Sequence, residues 1–186
     1  MKAMIVSKNT AMKTAGAVLA VCLAAAFFLT GIVFSLRPYS AVAALSESRI
    51  VPVYRVDRDD KKIAISFDAA WGNEDTQQLI DILGKYNIKA TFFVVGDWVT
   101  KYPESVKALH DAGHEVMSHS DTHAHYNSLS TEEITADLQA SSDKIKAVTG
   151  VAPTLIRCPY GEYDDHVIRA IRDFGMEPIQ WDVDSL

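Results

Sequence analysis

From residue 62 onward the chain alternates short apolar runs with longer amphipathic stretches, and no other feature restricts its fold as much. Residues 62–68 read as a buried strand, and residues 76–86 as a helix with Leu79, Ile80, Ile82 and Leu83 on its apolar face. A second strand is expected over 90–95, ended by Gly96. The helix after it, about 103–112, has Pro103 in its first turn and Gly113 at its end. A third strand runs from His114 through Met117 towards His119. Ser130 and Glu133 match a capping box, opening a helix expected to reach about Val148 before Gly150. A strand over 154–157, a helix over 165–174 stopped by Gly175, and the start of a fifth strand over 178–183 complete the series. Strands alternating with helices of this length imply right-handed βαβ units and a parallel sheet, the α/β class.

The N-terminal part follows a different rule. The first 45 residues contain no acid; Lys2, Lys8 and Lys13 precede an uncharged run over 14–36 that Arg37-Pro38 closes. About 20 such residues span a bilayer as a helix. The reading is a basic cytoplasmic segment over 1–13, a transmembrane signal anchor over 14–36, and a stalk over 37–60. Within the stalk Ile50 to Tyr54 form an edge strand at which Pro52 is tolerated. A cleavable signal is the alternative, with Ala41-Val42-Ala43 before Ala44 as its small-residue site. Both readings deliver residues 61–186 outside the cell, tethered to the membrane by one span or secreted after cleavage at Ala43-Ala44.

All 24 acids lie after residue 45 and four of the 18 basic residues before it, which leaves the exported part at net −10. Such a surface gives no reason to expect nucleic acid as a partner; a neutral or cationic extracellular substrate fits better. Cys22 lies in the apolar run and Cys158 is alone in the exported part, so no disulfide between them is expected. Oligomeric state is not legible in the sequence.

In parallel α/β sheets and barrels, ligands bind at the C-terminal ends of the strands. The polar residues at those ends are Asp68, Gly96-Asp97, His119 to His123, Arg157 to Gly161, and Asp182 to Asp184. His119 and His123 are the sharpest pair: if the segment turns helically, their rings project to one side and share one metal ion. His125 reads as a loop residue near the site; His110, His114 and His166 read as structural or solvated, and Phe92-Phe93 as core.

Three motifs, in this order, carry a family resemblance: Ser66-Phe67-Asp68-Ala69-Ala70-Trp71-Gly72, His119-Ser120-Asp121-Thr122-His123, and Arg157-Cys158-Pro159-Tyr160-Gly161. With them the chain from about Lys61 resembles the NodB-like polysaccharide deacetylases, carbohydrate esterase family 4, and within them the bacterial subgroup with a Phe-Asp-x-x-Trp-Gly first motif. The resemblance implies a distorted (β/α) barrel and metal-dependent removal of N-acetyl groups from an extracellular amino-sugar polymer, peptidoglycan or chitin-like. It implies Asp68 as general base, His119 and His123 as metal ligands, Arg157 as the residue that holds the base, and the Tyr160 backbone N–H as oxyanion donor. The implied ion is zinc, with cobalt, manganese or nickel as alternatives. The roles suit the chemistry. An amide is a poor electrophile, so a metal that polarises its carbonyl, a carboxylate that takes a proton from water, and an N–H donor for the tetrahedral oxyanion all lower the barrier. Trp71 and Tyr160 could stack on sugar rings, although Trp71 could equally pack beneath its loop.

The chain also departs from the family pattern. Where a second aspartate usually supplies the third metal ligand, it has Ala69. Water, Asp121 or Asp75 are the candidates to complete the shell. Cys158 stands where proline is usual, and reads as a buried small hydrophobe or, alternatively, a thiol ligand. The resemblance leads to the expectation of an Asp-Trp pair directly after Leu186 and of a later Leu-x-His supplying the general acid, so the domain is expected to be C-terminally incomplete. Besides the deacetylase, two readings stand: a catalytically inactive carbohydrate-binding relative, and a metallohydrolase of esterase or amidase type.

Overall fold

The computed structural model describes residues 49–185. The anticipated basic segment, the membrane span and most of the stalk lie outside them. Among the described residues no helix is long and apolar enough to cross a membrane.

Five parallel strands pair in the order β1-β2-β3-β4-β5: β1 (Ser66–Ala69), β2 (Thr91–Val94), β3 (Glu115–Ser118), β4 (Leu155–Ile156) and β5 (Glu177–Pro178). Between them run α1 (Thr76–Lys85), α2 (Gly96–Lys101), α3 (Pro103–Asp111), α4 (Thr131–Thr149) and α5 (Asp165–Phe174). The strand order never reverses, the winding of a barrel rather than of a doubly wound sheet. Every C-terminal strand end therefore opens on the same rim.

The strands are shorter than the apolar runs suggest. Ile63 is 88% exposed, and pairing begins only where Thr91 N–H donates to the Ile65 carbonyl at 3.1 Å. The fifth strand is confined to Glu177–Pro178, followed by a single bridge from Ile179 to Val53. The edge segment around Pro52 thus lies beside β5, where Val53 donates to the Pro178 carbonyl and accepts from Gln180 N–H. α2 was not anticipated, because Gly96 reads as a strand terminator; instead it opens a short helix. A Cβ there would run into the Asp121 carboxylate, so the close approach of the two loops requires glycine.

The helices follow their capping signals. Ser130 Oγ accepts from Glu133 N–H at 3.2 Å while the Glu133 carboxylate accepts from Ser130 N–H at 2.8 Å, and α4 ends at Gly150 with φ 77°. Two apolar clusters hold the layers. One packs Phe92, Val94, Trp98, Val106 and Leu109 between β1–β3 and α1–α3; the other packs Tyr126, Ile134, Leu138, Ile156, Val167 and Ile171 between β4, α4 and α5. Ile134, Leu138 and Ile145 are fully buried, each contributing about 1.5–3 kcal/mol by removal from water, so α4 is a fixed platform under the loop that follows β3.

Candidate active site

Asp68 stands at the C-terminal end of β1 and Arg157 directly after β4, 89 residues later. Arg157 N–H donates to the Ser118 carbonyl at 3.0 Å, which continues the β3–β4 ladder and turns the side chain across the rim. There Nη1 donates to Asp68 Oδ1 at 2.7 Å and Nη2 donates to Ser66 Oγ at 2.8 Å. The guanidinium lies over the Phe93 ring at 4.3 Å and is 5.5 Å from the Trp181 ring centre. Its side chain is 6% exposed against 35% for Asp68, so the arginine is the fixed partner and the carboxylate the accessible one. Ser66 belongs to the first motif, but no role for it was legible.

His119 meets this pair from β3. Its Nδ1 is 2.7 Å from the Arg157 carbonyl oxygen, an atom that can only accept. Nδ1 therefore carries the proton, and the Nε2 lone pair faces outward, 3.8 Å from Asp68 Oδ2. Burial lowers the His119 pKa, against the opposing pull of Asp68 and the Arg157 carbonyl. Burial also lowers that of His123, again against Asp68. Both rings are thus held neutral at physiological pH, the form that ligates metal. Their centres are 5.0 Å apart, and His123 Nδ1 is buried without a hydrogen-bond partner.

The rings meet, but not through a helical turn. Residues 119–125 form an irregular loop in which Ser120 (φ 72°) and His123 (φ 58°) are both left-handed. Each is a non-glycine residue in a sparsely populated region, a cost of about 1–3 kcal/mol that surrounding bonds must offset. His123 N–H donates to Ser120 Oγ at 2.8 Å, and Gly96 and Asp97 N–H donate to the carbonyls of Ser120 and Asp121. The i,i+4 spacing identified the pair for a geometric reason the chain does not use.

Aromatic rings wall the histidines. Trp71 and Tyr160 meet the His123 ring edgewise at 5.1 and 4.6 Å between centres, and they remain 80% and 54% exposed. Tyr160 is itself left-handed at φ 59°. The exposure decides against Trp71 packing beneath its loop. His125 stacks flat on Tyr160, 4.0 Å between centres and 7° between planes, and Glu162 holds its Nδ1 at 3.0 Å. The Glu162 contact had no sequence signal.

Several anticipated residues are not brought to the site. Asp121 pairs with Lys144 at 2.7 Å and packs against Gly96, so it does not complete a ligand shell. Asp97 faces Lys144 and Asp182 faces Arg55. Cys158 points into the second apolar cluster, where burial pushes its thiol up to about 12; it is the small hydrophobe and not the ligand. In the full chain, iodoacetamide at pH 8 should leave the Cys158 peptide unmodified by mass spectrometry until denaturant is added; rapid native labelling would contradict this burial.

Two neutral imidazoles, one with a buried unpartnered nitrogen and one with its lone pair beside a carboxylate, fit a divalent ion of the zinc class. No group of three or more His, Cys, Asp or Glu side chains able to hold a metal occurs among the described residues, which agrees with Ala69 at the end of β1.

Comparison with known proteins extends the same assignment. Residues 55–179 match the family described as Polysaccharide deacetylase. The chain is 37% identical over 129 residues to peptidoglycan-N-acetylmuramic acid deacetylase PdaC of Bacillus subtilis, covering 69% of this chain and 27% of that protein. It is 36% identical over 141 residues to peptidoglycan-N-acetylglucosamine deacetylase PgdA of Listeria monocytogenes, covering 76% and 30%. Among solved structures it resembles a Bacillus anthracis protein described as a pseudoenzyme of carbohydrate esterase family 4, with TM-score 0.69 and 36% identity over 72% of this chain and 48% of that one. The chain spans less than half the length of these curated relatives. With a parallel sheet wound in this order, an aspartate and an arginine joined across its rim and a histidine pair beside them, the chain belongs to the polysaccharide deacetylase family.

Proposed function

We propose that this domain removes N-acetyl groups from an extracellular amino-sugar polymer of the peptidoglycan or chitin type. The observation that carries the proposal is the joining of Asp68 to Arg157 within 3.8 Å of the bare Nε2 of His119. A binding surface has no need of a carboxylate held by a buried arginine beside neutral imidazoles.

His119 and His123 would hold the divalent ion, which when bound supplies Lewis-acid polarisation of the amide carbonyl and a more acidic water. Arg157 occupies Asp68 Oδ1 and leaves Oδ2 for the proton of the attacking water. Oxygen adds to the acetyl carbon, and the oxyanion that forms accepts from the Tyr160 N–H. The C–N bond then breaks, the departing nitrogen takes the proton that Asp68 received from the water, and acetate and a free amine result. The exposed Trp71 ring suits the C–H face of a flanking sugar, and half-exposed Tyr160 offers only what His125 leaves uncovered. In this reading residues 14–36 anchor the protein and present the site outside the membrane.

Mass spectrometry of an N-acetylglucosamine tetramer incubated with the full-length protein and zinc should show successive replacement of acetyl groups by hydrogen. A tetramer that stays fully acetylated with zinc, cobalt, manganese or nickel overturns the reading. Ala69 and the likeness to the pseudoenzyme favour a second reading, a glycan-binding relative without turnover. That reading predicts binding of the unaltered tetramer, unaffected by Asp68→Asn.

A further inference from the structure

Asp137 lies on α4, outside all three motifs, yet it is the residue most heavily bonded to the histidine loop. Its Oδ1 accepts from Asp121 N–H at 2.7 Å and from the Tyr126 hydroxyl at 2.6 Å, and its Oδ2 accepts from Thr122 Oγ1 at 3.5 Å. These donors lie on both sides of His123. We propose that Asp137 is a positioning residue that holds the loop from Ser120 to Tyr126 in the one conformation that lets His119 and His123 share an ion. This rests on the reading of the two histidines as metal ligands.

Three observations carry it. The loop contains two left-handed non-glycine residues, Ser120 and His123, and such a backbone persists only where its surroundings over-determine it. The same helix grips Asp121 a second time, through Lys144 at 2.7 Å, so α4 fixes both its main chain and its side chain. Finally, α4 itself cannot shift easily. Ile134, Leu138 and Ile145 are fully buried, and Ser141 Oγ bonds to Ser118 Oγ at 2.7 Å, directly before His119. Tyr126 is also fully buried and its hydroxyl has Asp137 as acceptor; loss of the carboxylate would leave it unpaired. Burial raises the Asp137 pKa, while the bonds from Tyr126 and the loop N–H groups lower it.

The test compares zinc affinity, by chelator competition, in the full chain and in Asp137→Ala, Tyr126→Phe and Gln139→Ala, with thermal unfolding of each. Supporting partners of metal-binding histidines typically change affinity by about 10–100-fold. Asp137→Ala, which removes the acceptor of both the Asp121 N–H and the Tyr126 hydroxyl, should weaken zinc binding by about that factor in protein that is still folded. Tyr126→Phe, which removes one bond and tolerates the cavity, should weaken it by a smaller factor of several-fold, and it replaces Asp137→Ala if that variant does not fold. Gln139→Ala, which breaks an exposed contact to Asp143 on the same helix, should leave affinity unchanged. A lower melting temperature with parental zinc affinity would reduce Asp137 to a structural residue and overturn the inference. Failure of the parent chain to bind zinc through His119 and His123 would overturn the metal reading instead. In that case amide exchange decides the positioning role: the Asp121 and His123 amides should exchange at least about tenfold faster in Asp137→Ala than in the parent, and equal rates overturn it.

Discussion

Asp68→Asn is expected to lower kcat for deacetylation by about 10³-fold or more, with KM and zinc affinity changed less than about tenfold. The asparagine oxygen can still accept from Arg157 Nη1, so the arginine keeps its partner and the rim keeps its shape. Its amide cannot take a proton from water, so only the transition state suffers. Asp68 is about one-third exposed, and the substitution removes no packed group, so the unfolding temperature should move little. A variant that retains more than a tenth of parental kcat would mean that some other group accepts the proton.

Arg157→Met should act on folding and chemistry together. Methionine fills much of the same space over Phe93 and avoids burying an unpaired charge. It nevertheless removes the bonds to Asp68 and to Ser66 Oγ. Hydrogen bonds to charged groups contribute about 1.5–3 kcal/mol each; since Asp68 can be partly rehydrated, a net loss of about 2 kcal/mol is expected, read as a lower denaturant midpoint. With Oδ1 released, Asp68 can rotate away from the reacting water, and kcat should fall by about 10²-fold in the protein that remains folded. Arg157→Lys should not restore it, since an ammonium cannot reproduce the guanidinium's two-armed bonding to Asp68 and Ser66. Unchanged kcat in folded Arg157→Met would remove the arginine from the site's machinery.

The elements were legible where local chemistry decides them. Ser130 and Glu133 announce the start of α4, and Gly150 and Gly175 mark the ends of α4 and α5. Strand lengths were less legible, because apolar runs such as the one around Ile63 continue past the point where the neighbouring strand offers a partner. α2 escaped notice for a tertiary reason: Gly96 is fixed by the approach of Asp121, 25 residues later in sequence, and not by its immediate neighbours. The candidate site divides in the same way. Asp68, His119, His123, Arg157 and Tyr160 could be placed together because strand ends of a parallel sheet converge. Asp137, Glu162 and Ser66 could not, since each acts through a partner whose distance in sequence carries no pattern. The helical i,i+4 geometry for the histidines was wrong in its local premise, the loop being left-handed at His123, although the rings do meet.

The question that Ala69 poses is whether two histidines beside Asp68 suffice to hold a working ion. It is answered most directly by acetate release from N-acetylglucosamine oligomers by the full-length protein, measured before and after prolonged chelation and again after zinc is added back. Release that stops on chelation and recovers with zinc in the parent, but not in His119→Ala, is the predicted result. Acetate release that persists after exhaustive chelation, or its absence with every divalent metal while the oligomer still binds, would contradict it.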